Sequence, residues 1–183
     1  ISLTSISGRL DSLHKTIKSL LSQNAPPHTS EVRLYLSEEP FLLDAGCSRE
    51  LTPELRDLEL NHGSRFRVVF THNIGPHRKI LPALRETAEL PPSQRLRTLV
   101  ATADDDTLYP GEWLASLVAA YRQHQCVVGY RGRTARVDNK SGDPLPYRSW
   151  QTTITANPSL RNVATGKDGI LYHPLHLHPA VLN

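Results

Sequence analysis

"RTLVATADDDTLYPGEWL", residues 97–114, is the stretch from which the rest of the chain is read. An apolar, strand-like run ends in three consecutive carboxylates, Asp104, Asp105 and Asp106, and a proline and a helix-like pattern follow. Alternate side chains of a strand share a face, so Asp104 and Asp106 are expected to point one way and Asp105 the other. Three adjacent carboxylates repel, and loss of water makes this worse, so protons or cations should be taken up. Hard oxygen ligands suit Mg2+ or Mn2+, which keep positions open for phosphate oxygens. The plain alternative is a solvated turn whose Asp side chains cap the helix starting at Pro110. The place of the triplet, directly after the most apolar strand, favours a metal or phosphate role.

Outward from this stretch, strand and helix patterns alternate. "ISLTSI" opens the chain as a short strand, and Leu10, Leu13, Ile17, Leu20 and Leu21 recur at helical spacing. "EVRLYLS" (31–37) and "FRVVFT" (66–71) read as further strands, with a short helix between them that Thr52 caps and Pro53 begins. "KILPALRETAEL" (79–90) predicts a helix with Pro82 in its first turn. "TLVATA" (98–103) is the fourth strand, and Leu114, Leu117, Val118 and Tyr121 give the next helix its apolar face. "CVVGY" (126–130) is the fifth strand. This predicts an α/β fold: a mostly parallel central sheet with flanking helices and right-handed crossovers, its ligand crevice at the carboxyl ends of the strands.

After Tyr130 the texture changes. Residues 131–168 are rich in Arg, Asn, Ser, Gly and Pro, with "NKSGDP" a turn, and read as a small hairpin and loop region. A short strand, "GILY" (169–172), and a His-rich end follow. The whole of 1–183 reads as one domain, with residues 1–130 as its nucleotide-binding part and 131–183 as its acceptor and loop part.

Composition narrows the class. At 183 residues, 38% hydrophobic and 21% charged, the chain is long and apolar enough for a globular core. A net charge of +3 without a Lys/Arg block argues against a nucleic-acid partner and suits an anionic small molecule. Two cysteines make no disulfide framework; Cys126 reads as a buried small hydrophobe, and a reducing, cytoplasmic setting follows. No apolar run is long enough to span a bilayer. The opening strand, without leader or initiator Met, reads as that of a chain trimmed at its start.

Two enzyme classes place aspartates after a strand. "DDDTL" superficially fits the DxDx(T/V) of haloacid-dehalogenase-type phosphatases. Leu108 stands where the last position of that motif wants Thr or Val, and the motif usually follows a first strand rather than a fourth. In their order and spacing "ISLTSISGRL", "GPHRKILPAL", "TADDDTLYPGEWL", "PYRSW" and "TGKDGILYHPLHLHP" resemble the GT-A glycosyltransferases, close to the bacterial inverting family. There a DxD-like cluster holds a nucleotide-sugar diphosphate through Mn2+ or Mg2+.

The resemblance implies roles for residues that match. Ser5, Ile6 and Ser7 would cradle base and ribose, with Arg9 near the phosphates. Glu38 or Glu39 would accept the uracil N–H. Lys79, with Arg78, would meet base or diphosphate, although cations at such a place are usually solvated. Asp105 would bond the ribose and Asp106 the metal, with Asp104 joining either. His173, His176 and His178 form no strong zinc pattern; the resemblance singles out His178 as a ligand completing the metal shell. Tyr147 and Trp150 offer a sugar-stacking surface or belong to the core.

An inverting transfer needs a base for the acceptor hydroxyl and a cation for the leaving diphosphate. The internal candidate for the base is Asp168 in "TGKDG", a residue type equally common in plain turns beside Gly. The resemblance also points to an acidic motif that would lie beyond Asn183. The expected function is a metal-dependent transfer from a nucleotide-sugar, a UDP-sugar, to a carbohydrate or lipid-linked acceptor in bacterial surface polysaccharide synthesis, with room for peripheral association at the inner membrane face. The alternatives are a metal-dependent phosphatase or phosphodiesterase and a non-catalytic nucleotide-sugar-binding domain.

Overall fold

A computed structural model describes residues 1–24, 30–153 and 157–182. Strand β1 (Ser2–Thr4) lies at the centre of a six-stranded sheet of order β3-β2-β1-β4-β9-β5. Strands β2 (Val32–Leu36), β3 (Phe66–Phe70) and β4 (Val100–Thr102) run parallel to it, with Leu3 opposite Leu34 and Leu34 opposite Val68. Strand β9 (Ile170–Tyr172), the "GILY" segment, is antiparallel to β4 and to β5 (Val128–Gly129), so β5 rejoins the common direction. The fifth strand is shorter than its apolar run suggested.

Helices cover both faces, which is why the strands read as near-continuous apolar runs. Helices α1 (Leu10–Leu21), α2 (Pro53–His62) and α5 (Trp113–His124) cover one face, burying Leu13, Ile17, Leu55 and Leu117 against Leu3, Val32, Leu34 and Leu36. Each such fully buried side chain stabilises by about 1.5–3 kcal/mol. The opposite face buries Tyr35 and Val100 under Ala83 and Leu84 of α3 (Leu81–Ala88) and under Leu177 and Leu182 of the C-terminal segment. A single turn, α4 (Pro92–Arg95), leads from α3 towards β4.

Local chemistry explains the helix boundaries. Thr52 accepts a hydrogen bond from the Leu55 N–H and Pro53 takes the first position of α2, as expected. Pro82 sits in the first turn of α3, but Arg78 and Lys79 fall in a preceding 3-10 turn, Gly75–Lys79. α5 starts at Trp113, not Pro110, and no Asp caps it. Gln23 does so from the end of α1: its amide donates to the Pro110 carbonyl at 2.9 Å and accepts from the Leu114 N–H at 2.9 Å. α1 and α5 are thereby tied together beneath the triplet.

Residues 131–168 form more than a hairpin. β6 (Gly132–Thr134) lies between β7 (Gln151–Thr152) and β8 (Asn162–Ala164) in a separate antiparallel sheet. The "NKSGDP" turn is present, with Asp138 accepting from the N–H groups of Lys140 and Ser141. Cys47 is the buried cysteine; Cys126 is half-buried, and neither forms a disulfide.

Candidate functional site

The carboxyl ends of β1 and β4 are neighbours in a parallel sheet, so the chain leaving β1 at Ser5 meets the chain leaving β4 at Asp104. β4 ends at Thr102, and the triplet lies in the turn beyond it, so strand alternation no longer sorts its faces. Asp105 accepts from the Ser5 hydroxyl at 2.6 Å and from the Arg9 guanidinium at 3.0 Å. Arg9 also reaches Asp106, at 3.5 Å. Asp104 pairs with the Lys79 ammonium and accepts from the Asp168 N–H at 3.3 Å. The repulsion noted in the sequence is therefore relieved within the chain, by Lys79, Arg9 and Ser5.

The turn is anchored from below. The Tyr109 hydroxyl accepts from the Asp104 N–H at 2.7 Å, and Thr16 of α1 donates to the Asp105 carbonyl at 3.1 Å. Tyr109 packs on Trp113 with ring centroids 4.5 Å apart, and burial pushes its phenol up to about 12.

Beside the triplet opens a cavity of about 290 Å³, lined by Ser5, Ile6, Arg9, Phe41, Leu42, Leu43, Asp44, Pro76, Arg78, Lys79, Asp104 and Asp105 among others. Its lining combines apolar side chains, Ile6, Phe41, Leu42, Leu43 and Pro76, with a few charged groups, the pattern of a small-molecule site. One wall is a tight turn in which Phe41 and Asp44 exchange backbone bonds at 2.9 and 3.0 Å. Leu42 in this turn holds φ 53, strained for a branched side chain, and Leu42 and Leu43 are 84% and 90% exposed. Gly75 has to be glycine: at φ +61, a Cβ would stand 2.9 Å from the Phe41 ring.

Asp44 was not singled out in the sequence. Its Oδ1 accepts from the N–H groups of Ser7 and Gly46, and its Oδ2 from Asn73 at 3.2 Å and Arg78 at 2.7 Å. Burial alone would raise its carboxyl, but the Ser7 N–H, the Arg78 guanidinium and the Gly46 N–H hold it below its ordinary value. Arg78, far from solvated, is 1% exposed; it also donates to the Ser5 carbonyl at 3.1 Å, while its Nε and Nη1 have no hydrogen-bond partner among the described residues. The only sequence sign of this hub was three apolar residues, "FLL", preceding Asp44 in an otherwise acidic loop.

The other candidates fall in different places. Glu38 pairs with Arg49 at 2.8 Å in solvent, and Glu39 binds His72 and the Asn73 N–H; neither lines the cavity. Ser7 faces the 44–46 turn, its hydroxyl accepting from the Ala45 N–H. Tyr147 and Trp150 pack on one another beside the small sheet, with centroids 5.2 Å apart. His178 is exposed, its Nδ1 accepting from the Ala180 N–H. Among the described residues no three His, Cys, Asp or Glu side chains gather around a common ion position.

A second cavity, about 450 Å³, lies on the far side of the Asp104–Asp168 contact, lined by Leu108, Tyr109, Glu112, Trp113, Tyr130 and Asp168 among others. Asp168, which directly precedes Gly169, holds φ 66, and its carbonyl accepts from the Trp113 indole at 2.8 Å.

No protein-family model matches the sequence, and no curated protein does. Solved structures do match in fold. A mannosyltransferase from Pyrobaculum calidifontis, solved with GDP-Man and Mn2+, has a TM-score of 0.50 at 17% identity, over 69% of this chain and 33% of its own. TarS of S. aureus, solved with UDP-GlcNAc, has a TM-score of 0.48 at 19% identity, over 78% of this chain and 36% of its own. A 4-diphosphocytidyl-2C-methyl-D-erythritol synthase has a TM-score of 0.48 at 11% identity, over 95% and 74%. The chain thus spans about a third of the length of the first two. At these identities the likeness is one of architecture: the chain has the α/β fold of the GT-A glycosyltransferases.

Proposed function

We propose that this chain is a glycosyltransferase domain that takes a sugar from a nucleoside-diphosphate donor, a UDP-sugar, with residues 1–130 binding the nucleotide. The observation that carries the reading is the cavity at the carboxyl ends of β1 and β4, in which apolar walls and the cations Arg9 and Lys79 meet the aspartate turn. A flat base fits between Ile6, Pro76 and the Phe41–Leu43 turn, with Arg78 at the floor. Asp105, already tied to Ser5, is placed to accept from a ribose hydroxyl. Lys79 and Arg9 supply positive charge for the diphosphate.

The donor set suits a divalent cation in part. Asp104 and Asp105 are engaged by Lys79, Ser5 and Arg9, whereas Asp106 is 65% exposed with only long contacts, to Arg9 and Thr107, among the described residues. Asp106 is thus the carboxylate available to Mn2+ or Mg2+, which take one or two carboxylates together with phosphate oxygens. Such an ion, when bound, stabilises the charge growing on the departing diphosphate; the mannosyltransferase of similar fold was solved in complex with GDP-Man and Mn2+.

The second cavity receives the acceptor. Asp168, whose carboxylate makes no hydrogen bond within the described residues, takes the proton of the attacking hydroxyl as that oxygen bonds to the anomeric carbon and the nucleoside diphosphate departs. The resemblance in sequence adds inversion at that carbon, a carbohydrate or lipid-linked acceptor and a role in surface polysaccharide synthesis at the inner membrane face. No helix among the described residues is long and apolar enough to cross a membrane.

Incubation with UDP-sugars and Mn2+, following UDP release, tests the reading. Release that is lost in Asp168→Asn supports it. Tight UDP binding without release would instead favour a binding domain, and hydrolysis of a generic phosphomonoester, lost in Asp104→Asn, a phosphatase.

A further inference from the structure

Charge is unevenly distributed along this chain. Of its 21 Lys and Arg and 18 Asp and Glu, residues 131–167 hold seven and two, so the remainder is net negative. One of the two acids, Asp138, is occupied by the N–H groups of its own turn. Among the described residues none of the seven cations is paired with a carboxylate. A surface free of any function would scatter such charges or pair them.

The register of the small sheet gathers part of this charge on one face. Arg133 of β6 is opposite Val163 of β8, and the ladder continues through the Thr165 N–H to the Arg131 carbonyl and the Ala135 N–H to the Arg161 carbonyl. Arg131, Arg133 and Arg161 therefore project from the same face. Arg133 is fixed there, stacked on the Tyr147 ring at 5.1 Å and donating to the Trp150 carbonyl at 2.9 Å. Arg131 and Arg161 are exposed, and among the described residues neither side chain makes a hydrogen bond or ion pair.

The position of this face names its ligand. Arg131 follows Tyr130, and Lys167 precedes Asp168, and both Tyr130 and Asp168 line the second cavity. We infer that the acceptor is a polyanion, a chain bearing repeated phosphate groups, laid along the Arg131–Arg161 face with its reacting end in that cavity. This rests on the second cavity being the acceptor site. An anionic membrane is the poorer fit: a membrane-bound face combines cations with several inserted apolar residues, whereas of the exposed apolar side chains described here Tyr147 is held against Arg133 and Val163 is only 39% exposed, leaving Leu160, before Arg161, as the fully exposed one.

The test is binding of long-chain inorganic polyphosphate at about 50 mM and 200 mM salt. The triple variant R131A/R161A/K167A is compared with R56A/R67A/R122A, which removes three exposed cations elsewhere, and thermal midpoints confirm folding. The expected result is steeply salt-dependent binding that weakens about tenfold or more in the first variant and about twofold or less in the second, with UDP titration unchanged in both. Equal loss in both variants, or no binding, overturns the inference. Tighter binding to phosphatidylserine vesicles than to polyphosphate overturns it in favour of a membrane surface. Polyphosphate binding in a protein that binds no nucleotide removes the acceptor assignment, because the glycosyltransferase reading itself has then failed.

Discussion

Arg78 and Asp44 form an ion pair at 2.7 Å with side chains 1% and 3% exposed, and through Asp44 that pair joins Ser7, Gly46 and Asn73. Three segments distant in sequence thereby meet at the cavity floor. Removing one partner of a buried pair leaves a charge uncompensated, at a cost of about 3–5 kcal/mol. Asp44→Ala should show that loss in urea denaturation. A stability change below about 1 kcal/mol would mean that Arg78 finds another partner.

The same carboxyl sets a pH limb. Its value in the folded chain is depressed below the ordinary 3.8, so its contribution is fully present above that value and is lost as pH falls through the folded-state value. Asp44→Asn should therefore flatten the fall in stability on the acid side of about pH 4, measured by denaturation at several pH values. Identical acid limbs in wild type and variant would contradict the assignment.

Gly169 holds φ +108, and a Cβ there would stand 2.6 Å from the Trp113 ring. Gly169→Ala should destabilise by about 1–3 kcal/mol and displace the Asp168 carbonyl from the Trp113 indole. Trp113 fluorescence reports the second effect; an unchanged spectrum and stability would show that the loop yields freely.

Much of this architecture is legible in the sequence. Leu13, Ile17, Leu20 and Leu21 at helical spacing, the Thr52-Pro53 start and the apolar runs of β1 to β4 are local signals, and each element formed where local physics placed it. The site was legible by halves. Ser5, Arg9 and the triplet converge because they follow β1 and β4, neighbours that a parallel sheet must bring together, and Lys79 joins them from the 3-10 turn that precedes α3. Asp44 was missed because it follows β2 by eight residues of irregular chain, in which spacing carries no information. The burial of Arg78 is not legible for a related reason: whether a cation is buried depends on a carboxylate 34 positions away. Gln23, which caps α5 from another helix, has no sequence signature at all.

Lys79 pairs with Asp104 at the rim of the first cavity. Its ammonium has to leave that carboxylate in part to meet a diphosphate, so Lys79→Met should weaken UDP binding about tenfold to a hundredfold, the scale of one charge-assisted bond. Binding of uridine, which lacks phosphates, should change little. Equal losses for UDP and uridine would place Lys79 at the base instead.

The most direct measurement is a calorimetric titration of UDP, with and without Mn2+, into the wild-type chain and Asp106→Asn. The account predicts UDP binding that Mn2+ strengthens, and loss of that strengthening in Asp106→Asn with the metal-free affinity retained. A folded wild-type protein that binds no UDP, or binds it equally with and without Mn2+ in both forms, would contradict the reading of the aspartate turn as a diphosphate and metal site.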